Sequence, residues 1–349
     1  MKVLHLTKYS RKGASSRLRS YQYFPFLEEN GITITIKPLF DDVYLDSLYN
    51  KNKQEPLLVL KYYIQRFLIL FSVFKYDKVV IEKELFPYFF SWFETILKCL
   101  GVKYIVDYDD AIFHNYDLSS NRFILFFLKN KINNVMKNSQ TVIAGNSYLA
   151  KRARESGANN IIVIPTVIDI NQYLVKDNYD TNQVVIGWIG TPYTLKYLKQ
   201  LVPVFEELIK TYNCKIHIIG TKEDLGISRN FVYFNWSEDN EVLLIRNFDI
   251  GIMPLDNTPW ELGKCSYKLI QYMGCAIPVV ASPVGMNVEV VDEKINGFLA
   301  TTNEQWLQAL TTLIENPAIR EQYGKKGRQK VEKLYSLEQA NPKYLKVLL

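Results

Sequence analysis

Short apolar runs alternate with longer amphipathic stretches along the whole chain. "KVLHLT" reads as a strand, and a glycine-containing loop leads from it into "SSRLRSYQYFPFLEENG", a helical pattern ending at Gly31. "ITITIKPL", "KVVIEKE", "KYIVDY", "TVIAG" and "NIIVIP" repeat the strand signal, with helical stretches between them. The rhythm restarts at "VVIGWIG". There follow the helix "TLKYLKQLVPVFEELIKTY" despite Pro203, the strands "KIHIIG" and "NFVYFN", the helix "SEDNEVLLIRN" and the strand "FDIGIMPL". "ELGKCSYKLIQYMGCAIPVVASPVG" (261–285) then reads as a helix feeding a buried strand. Two consecutive βα series predict an α/β protein of two doubly wound (Rossmann-like) domains, with ligands at the carboxyl edges of the sheets. The polar stretch 165–183 marks the boundary, giving a first domain over 1–168 and a second over 169–335. The last segment, 336–349, opens at Ser336 as a helix N-cap and is expected to return to the first domain.

A length of 349 residues supports two cores rather than one, and 48% apolar with 22% charged residues is a globular composition. The net charge of +6 is unevenly placed: residues 1–165 hold 23 Lys+Arg against 15 Asp+Glu, and the remainder 19 against 21. A basic half rich in Tyr and Phe fits an anionic membrane surface, or simply a solvated basic face. Residues 57–74 are strongly apolar but carry Lys61, Gln65 and Arg66, so they read as an amphipathic helix rather than a span. Tyr62, Arg66, Phe67 and Phe71 are placed to dip into a headgroup zone, and the competing reading is that the aromatics fill the first core. Four cysteines without metal-ligand spacing and a strand-length N-terminal apolar run point to a cytoplasmic protein, peripheral on the inner face of the plasma membrane if it binds lipid. No nucleic-acid partner is expected.

Lys264, Lys268 and Gln271 recur at helical spacing, and Cys265, Ser266 and Tyr267 stand where that helix begins. Two cations at a helix N-terminus suit a diphosphate, and an amide one turn on suits a ribose hydroxyl. Gly190, Thr191 and Thr194 end the first strand of the second series and open the next helix. Trp236 is placed to wall a base site or to pack in the core. The plain alternative is that the two lysines are solvated. In the first series, Gly13 and Ser16 form a small loop able to approach a phosphate or sugar, and Arg17 and Arg19 lie on the helix behind it. "DYDDAIFH" sets Asp107, Asp109, Asp110 and His114 after a strand. Its readings are a metal pair, loop capping, or contact with acceptor or donor sugar through Asp110 or His114. His5 and His217 lie within strands and read as packed core histidines.

"WELGKCSYKLIQYMGCAIPVVASPVGMNVEVVDEKINGFLA" resembles the donor-binding stretch of family 4 glycosyltransferases with the GT-B fold. "VVIGWIGTPYTLKYL" is similar to the start of their second domain, and "KVLHLTKYSRKGASSRLRSYQYFPFLEENGI" to their first strand, loop and helix. The resemblance implies two domains facing across a cleft and a retaining, hexosyltransferase-type reaction from a nucleotide-diphosphate sugar. The donor would bind the second domain, and a saccharide or lipid-linked saccharide the first. No metal or other cofactor is implied, and the setting would be bacterial surface polysaccharide or glycan assembly. The family carries two glutamates separated by seven residues. Here Gln271 stands at the second position, Gly263 at the first, and Glu261 two residues early. Residue chemistry and resemblance together put His114, Glu261 and Lys264 in catalytic roles, with Arg17, Arg19 and Asp110 toward the acceptor. The rival readings are an epimerase or hydrolase on the same fold, and an inactive sugar-nucleotide-binding subunit.

Overall fold

β-branched and aliphatic runs become strands wherever they can be covered on both faces. The computed structural model describes residues 1–51, 56–223, 225 and 230–349. Among them, two parallel six-stranded sheets form. The first holds β1 (Lys2–Leu6), β2 (Thr33–Ile36), β3 (Lys78–Glu82), β4 (Tyr104–Tyr108), β5 (Thr141–Ala144) and β6 (Ile161–Val163), in the order β2-β1-β3-β4-β5-β6. The second holds β7 (Val184–Ile189), β8 (Cys214–Ile219), β9 (Phe231–Phe234), β10 (Ile250–Met253), β11 (Val279–Ala281) and β12 (Gly297–Leu299), in the order β12-β11-β10-β7-β8-β9. Strand order reverses between β1 and β3 in one sheet and between β7 and β10 in the other. Those are the points where connections leave in opposite directions and open a crevice at the carboxyl edge.

The chain divides into two units. One comprises Met1–Thr166, Gly263–Cys265 and Ala340–Leu349, the other Val167–Leu262 and Ser266–Gln339. Gly263–Cys265 therefore belongs to the first unit, an excursion that the sequence pattern did not suggest. Within the first unit the end of the helix Leu337–Leu348 packs Tyr344 on Tyr23 (ring centroids 4.4 Å) and on His5 (6.3 Å). At the start of that helix the Ser336 Oγ donates back to Glu332 O at 3.0 Å.

Proline divides two helices expected to be continuous. The first splits into Ala14–Arg19, a 3₁₀ turn Tyr21–Tyr23, and Phe24–Glu29 with Pro25 in its first turn. The second splits into Leu195–Lys199 and Val202–Thr211, with Pro203 in the first turn of the latter. A first turn has no intrahelical use for the missing N–H, so the helix restarts at the proline.

The amphipathic helix is Pro56–Leu70. Tyr62 and Arg66, expected at a lipid interface, are buried instead. The Tyr62 hydroxyl donates to Asp41, and Arg66 Nη2 donates to Thr7 O (2.8 Å) and Lys37 O (3.0 Å). One helix face cannot serve two environments: residues spaced by four turn inward together. Phe67 and Phe71 do lie exposed. Among the described residues, no helix is long and apolar enough to cross a membrane.

Candidate functional site

In the first unit the carboxyl ends of β1, β3 and β4 gather a buried charged cluster. Lys83 follows β3 with a left-handed backbone (φ 67°), and its Nζ lies 2.9 Å from Asp109 and 3.6 Å from Asp110. A non-glycine residue in that conformation is strained by roughly 1 kcal/mol or more. Burial opposes charge on Lys83, but Asp109 and Asp110 hold its pKa above the usual lysine value. Burial likewise raises Asp109, yet the Lys83 ammonium and the Ser15 hydroxyl bring it down to about 2. Glu82 is pushed up by burial and accepts from Ser16 Oγ (2.6 Å) and the Lys8 N–H (3.0 Å).

That packing reassigns several expected contacts. Ser16 is buried, accepts from the Tyr9 N–H (2.9 Å) and donates to Glu82, so its hydroxyl fixes the loop. A Cβ on Gly13 would lie 2.4 Å from Tyr9 Cβ, so this glycine permits close loop packing. Arg19, expected toward an acceptor, is 1% exposed and clamps Asp107 through Nε (3.1 Å) and Nη2 (2.6 Å), while Nη1 donates to Ile164 O (2.8 Å). A buried carboxylate requires such a partner, and Arg19 meets it with all three of its nitrogens engaged. Arg17 is also buried. Asp110 keeps a third of its side chain open, the most accessible of the three aspartates. His114 has Nδ1 2.7 Å from Asp117 and Nε2 2.9 Å from the Tyr148 hydroxyl, so both ring nitrogens are occupied in this geometry.

Gly263, Lys264 and Cys265 are held in the first unit by Asn146, whose Nδ2 donates to Gly263 O (2.9 Å) and Lys264 O (3.1 Å). A Cβ on Gly263 would lie 2.4 Å from Ala111 Cβ and 2.6 Å from its nitrogen. No side chain fits there without displacing backbone. The Cys265 side chain, expected at the donor, instead donates to Asp109 O (3.0 Å). Burial pushes its thiol up to about 12, so it remains a packed, protonated group. The Lys264 side chain is half-buried.

In the second unit, Gly190 follows β7 and donates its N–H to Ile219 O (3.0 Å). Thr191 and Thr194 bond reciprocally across the next turn, Thr191 N–H to Thr194 Oγ1 (3.1 Å) and Thr194 Oγ1 to Thr191 O (3.0 Å). The helix Tyr267–Gly274 starts from Ser266, whose backbone is left-handed (φ 51°) and whose Oγ donates to Asn287 Oδ1 (2.7 Å). Lys268 Nζ stands 4.5 Å from the Trp188 ring centroid. Gln271 is buried and donates to Glu241 Oε1 (2.6 Å) and the Tyr173 hydroxyl (3.2 Å). Trp236 Nε1 donates to the other Glu241 oxygen (2.5 Å), and Tyr267 meets Tyr173 through their hydroxyls (3.4 Å). Trp236 and Gln271, expected at base and ribose, thus converge on one carboxylate that the sequence reading did not single out. Glu261 is buried and accepts from the Tyr197 and Thr258 hydroxyls. Burial would raise its pKa, but those two bonds lower it, so it stays ionised. Glu241 and Tyr173 had one legible signal: an acidic helix start after β9, and a tyrosine in a polar connector.

Two parallel, doubly wound six-stranded sheets define the GT-B fold of glycosyltransferases, and solved structures of that class align along the whole chain. Sucrose-phosphate synthase from Thermosynechococcus elongatus superposes with a TM-score of 0.75 at 13% identity, covering 99% of this chain and 98% of that one. Alr3699/HepE of Anabaena, solved with UDP and glucose, gives 0.70 at 15%, covering 100% and 99%. Residues 183–316 match the family described as "Glycosyl transferases group 1". Glycosyltransferase MJ1178 of Methanocaldococcus jannaschii is 23% identical over 88% of this chain and 90% of its own length. Glycosyltransferase MJ1069 of the same organism is 27% identical over half of this chain, a match spanning 46% of that relative.

Proposed function

We propose that the chain is a retaining glycosyltransferase that moves a hexosyl group from a nucleotide-diphosphate sugar to a hydroxyl of a saccharide acceptor, without a metal. The observation that carries the reading is the start of the helix Tyr267–Gly274, inside the matched region. Lys268 stands on its first turn, and the buried Gln271, paired with the half-buried Glu241, lies one turn on. Lys268, with Lys264, would meet the charge that grows on the diphosphate as it departs, which lowers the barrier because the charge is largest in the transition state. The bond from the anomeric carbon to the phosphate oxygen breaks, and the bond to the acceptor oxygen forms on the same face. The acceptor's proton passes to a leaving-group phosphate oxygen, so no protein nucleophile is needed.

Support for a nucleotide sugar comes from HepE, solved with UDP-glucose. Support for polysaccharide assembly comes from CapM of Staphylococcus aureus, a capsular polysaccharide biosynthesis glycosyltransferase 24% identical over 47% of this chain. Asp107 and Asp109 are each matched by a buried cation, which favours metal-free transfer. The test is a turnover screen of the purified chain across nucleotide sugars with a mixed saccharide pool, reading glycoside formed and nucleotide released. Glycoside with retained configuration is expected. Nucleotide release without glycoside would assign a hydrolase or epimerase, and stabilisation by a nucleotide sugar without turnover would assign a binding subunit.

A further inference from the structure

We propose that one face of the first unit, built from the helices Pro56–Leu70, Trp92–Cys99 and Arg122–Leu128, docks on a bilayer with anionic headgroups. The helix Pro56–Leu70 buries Tyr62, Arg66 and Leu70 on its inner side. Its outer side, which in a water-exposed helix is polar, presents Leu60, Ile64, Phe67 and Leu68.

Ring contacts carry this apolar surface across all three helices. Phe71 meets Phe67 (5.2 Å), and Phe67 meets Phe93 (5.7 Å). Phe93 meets Phe89 (5.9 Å), and Phe89 meets Phe90 (6.1 Å). Phe90 contacts Phe127 (6.4 Å), which contacts Phe123 (4.6 Å). The outermost rings are open to solvent: Phe71 at 69%, Trp92 at 57%, Phe123 at 62% and Phe126 at 75%. A linked aromatic surface of this extent marks an interaction site, not the scattered apolar exposure common on soluble proteins.

Charge selects the occupant. Over residues 56–76, 87–100 and 118–130 the exposed ionic groups are Lys61, Lys75, Lys98, Arg122 and Lys129, all cationic. The single carboxylate there, Glu94, is buried and accepts from the Leu85 N–H (2.9 Å). A second copy of this chain would bring the same positive rim against it, which is repulsive. An anionic leaflet attracts each of those cations, and its interfacial zone accommodates Phe and Trp rings. With no spanning helix among the described residues, the mode is docking in the plane of the interface. The proposal deepens the glycosyltransferase reading by placing its acceptor, a lipid-linked saccharide, at that surface. Its physical basis and its test do not depend on turnover.

The experiment is co-sedimentation of the full chain with phosphatidylcholine vesicles, with and without phosphatidylglycerol, in the absence of donor and acceptor. Binding is expected only with phosphatidylglycerol and should weaken as salt is raised. The double variant Phe123→Ser/Phe126→Ser should lower the vesicle partition coefficient at least about tenfold with an unchanged melting temperature, since two exposed rings leave the interface. Lys61→Glu/Lys129→Glu should do the same at low salt. Absence of binding to anionic vesicles at low salt, or full binding by the Phe123→Ser/Phe126→Ser variant, would overturn the proposal. So would a lipid-free dimer, seen by light scattering, that the same variant dissolves. Any of these results leaves the transfer reading untouched, because no sugar chemistry is measured.

Discussion

Gln271 Nε2 donates to Glu241 Oε1 at 2.6 Å, joining the helix Tyr267–Gly274 to the helix Glu241–Arg246 across 30 residues of sequence. Trp236 holds the second Glu241 oxygen and Tyr173 the same Gln271 amide. The amide thus orients the carboxylate. Gln271→Glu would set a buried carboxylate against the half-buried Glu241. We expect a stability loss of about 1–3 kcal/mol in denaturant titration and weaker binding of the nucleotide sugar. Adding Glu241→Gln to Gln271→Glu restores one charge and one amide, and should recover both. A Gln271→Glu variant as stable as the parent would remove the pair's significance.

Lys268 and Lys264 are the groups on which diphosphate departure depends in our reading. Lys268→Ala and Lys264→Ala should each lower kcat/KM about thirtyfold, the equivalent of about 2 kcal/mol of transition-state stabilisation. Circular dichroism should show both variants folded. Lys268→Ala also gives up its stacking on Trp188, worth roughly 0.5–1 kcal/mol at a partly exposed site. Parental turnover in both variants would reduce the pair to surface charge.

Transfer should persist in excess chelator. Arg19 already neutralises Asp107, and Lys83 already neutralises Asp109. Loss of turnover that magnesium or manganese restores would instead make those aspartates metal ligands.

Stability should depend on pH through His5. The ring is fully buried in β1, with neither nitrogen hydrogen-bonded, and burial lowers its pKa to about 3. The unfolded chain takes up a proton near pH 6.5 and the folded chain does not. The contribution is therefore complete above pH 6.5 and is lost as pH falls toward 3. The slope is about 1.4 kcal/mol per pH unit within that window. Urea midpoints of the parent should fall accordingly between pH 6.5 and 4.5, and those of His5→Leu should be flatter. Identical slopes would show that His5 takes up its proton as readily in the folded chain as in the unfolded one.

Much of the fold was legible along the chain because it rests on local periodicity. A βα rhythm interrupted once near residue 165 yields two parallel sheets, since buried parallel strands need continuous apolar runs and helices need one apolar stripe. The motif around Lys264–Gln271 was legible for a similar reason: residues four apart on one helix share a face wherever the helix goes. The apolar spacing runs on through Pro25 and Pro203, yet in the structure a helix restarts at each.

Tertiary structure alone decided which polar groups are open to a ligand and which are consumed by the fold. Arg19 and Asp107 are 88 residues apart, and their pairing removes both from solvent. Gln271 finds Glu241, Cys265 finds the Asp109 carbonyl, and Ala111 denies Gly263 a side chain. None of these partners follows from spacing, because burial demands a hydrogen bond without specifying which residue supplies it. The helix Pro56–Leu70 shows the same division. Its sequence determined that it carries apolar residues on more than one face. Only packing decided that Tyr62 and Arg66 turn inward and that Phe67 and Phe71 are left outside.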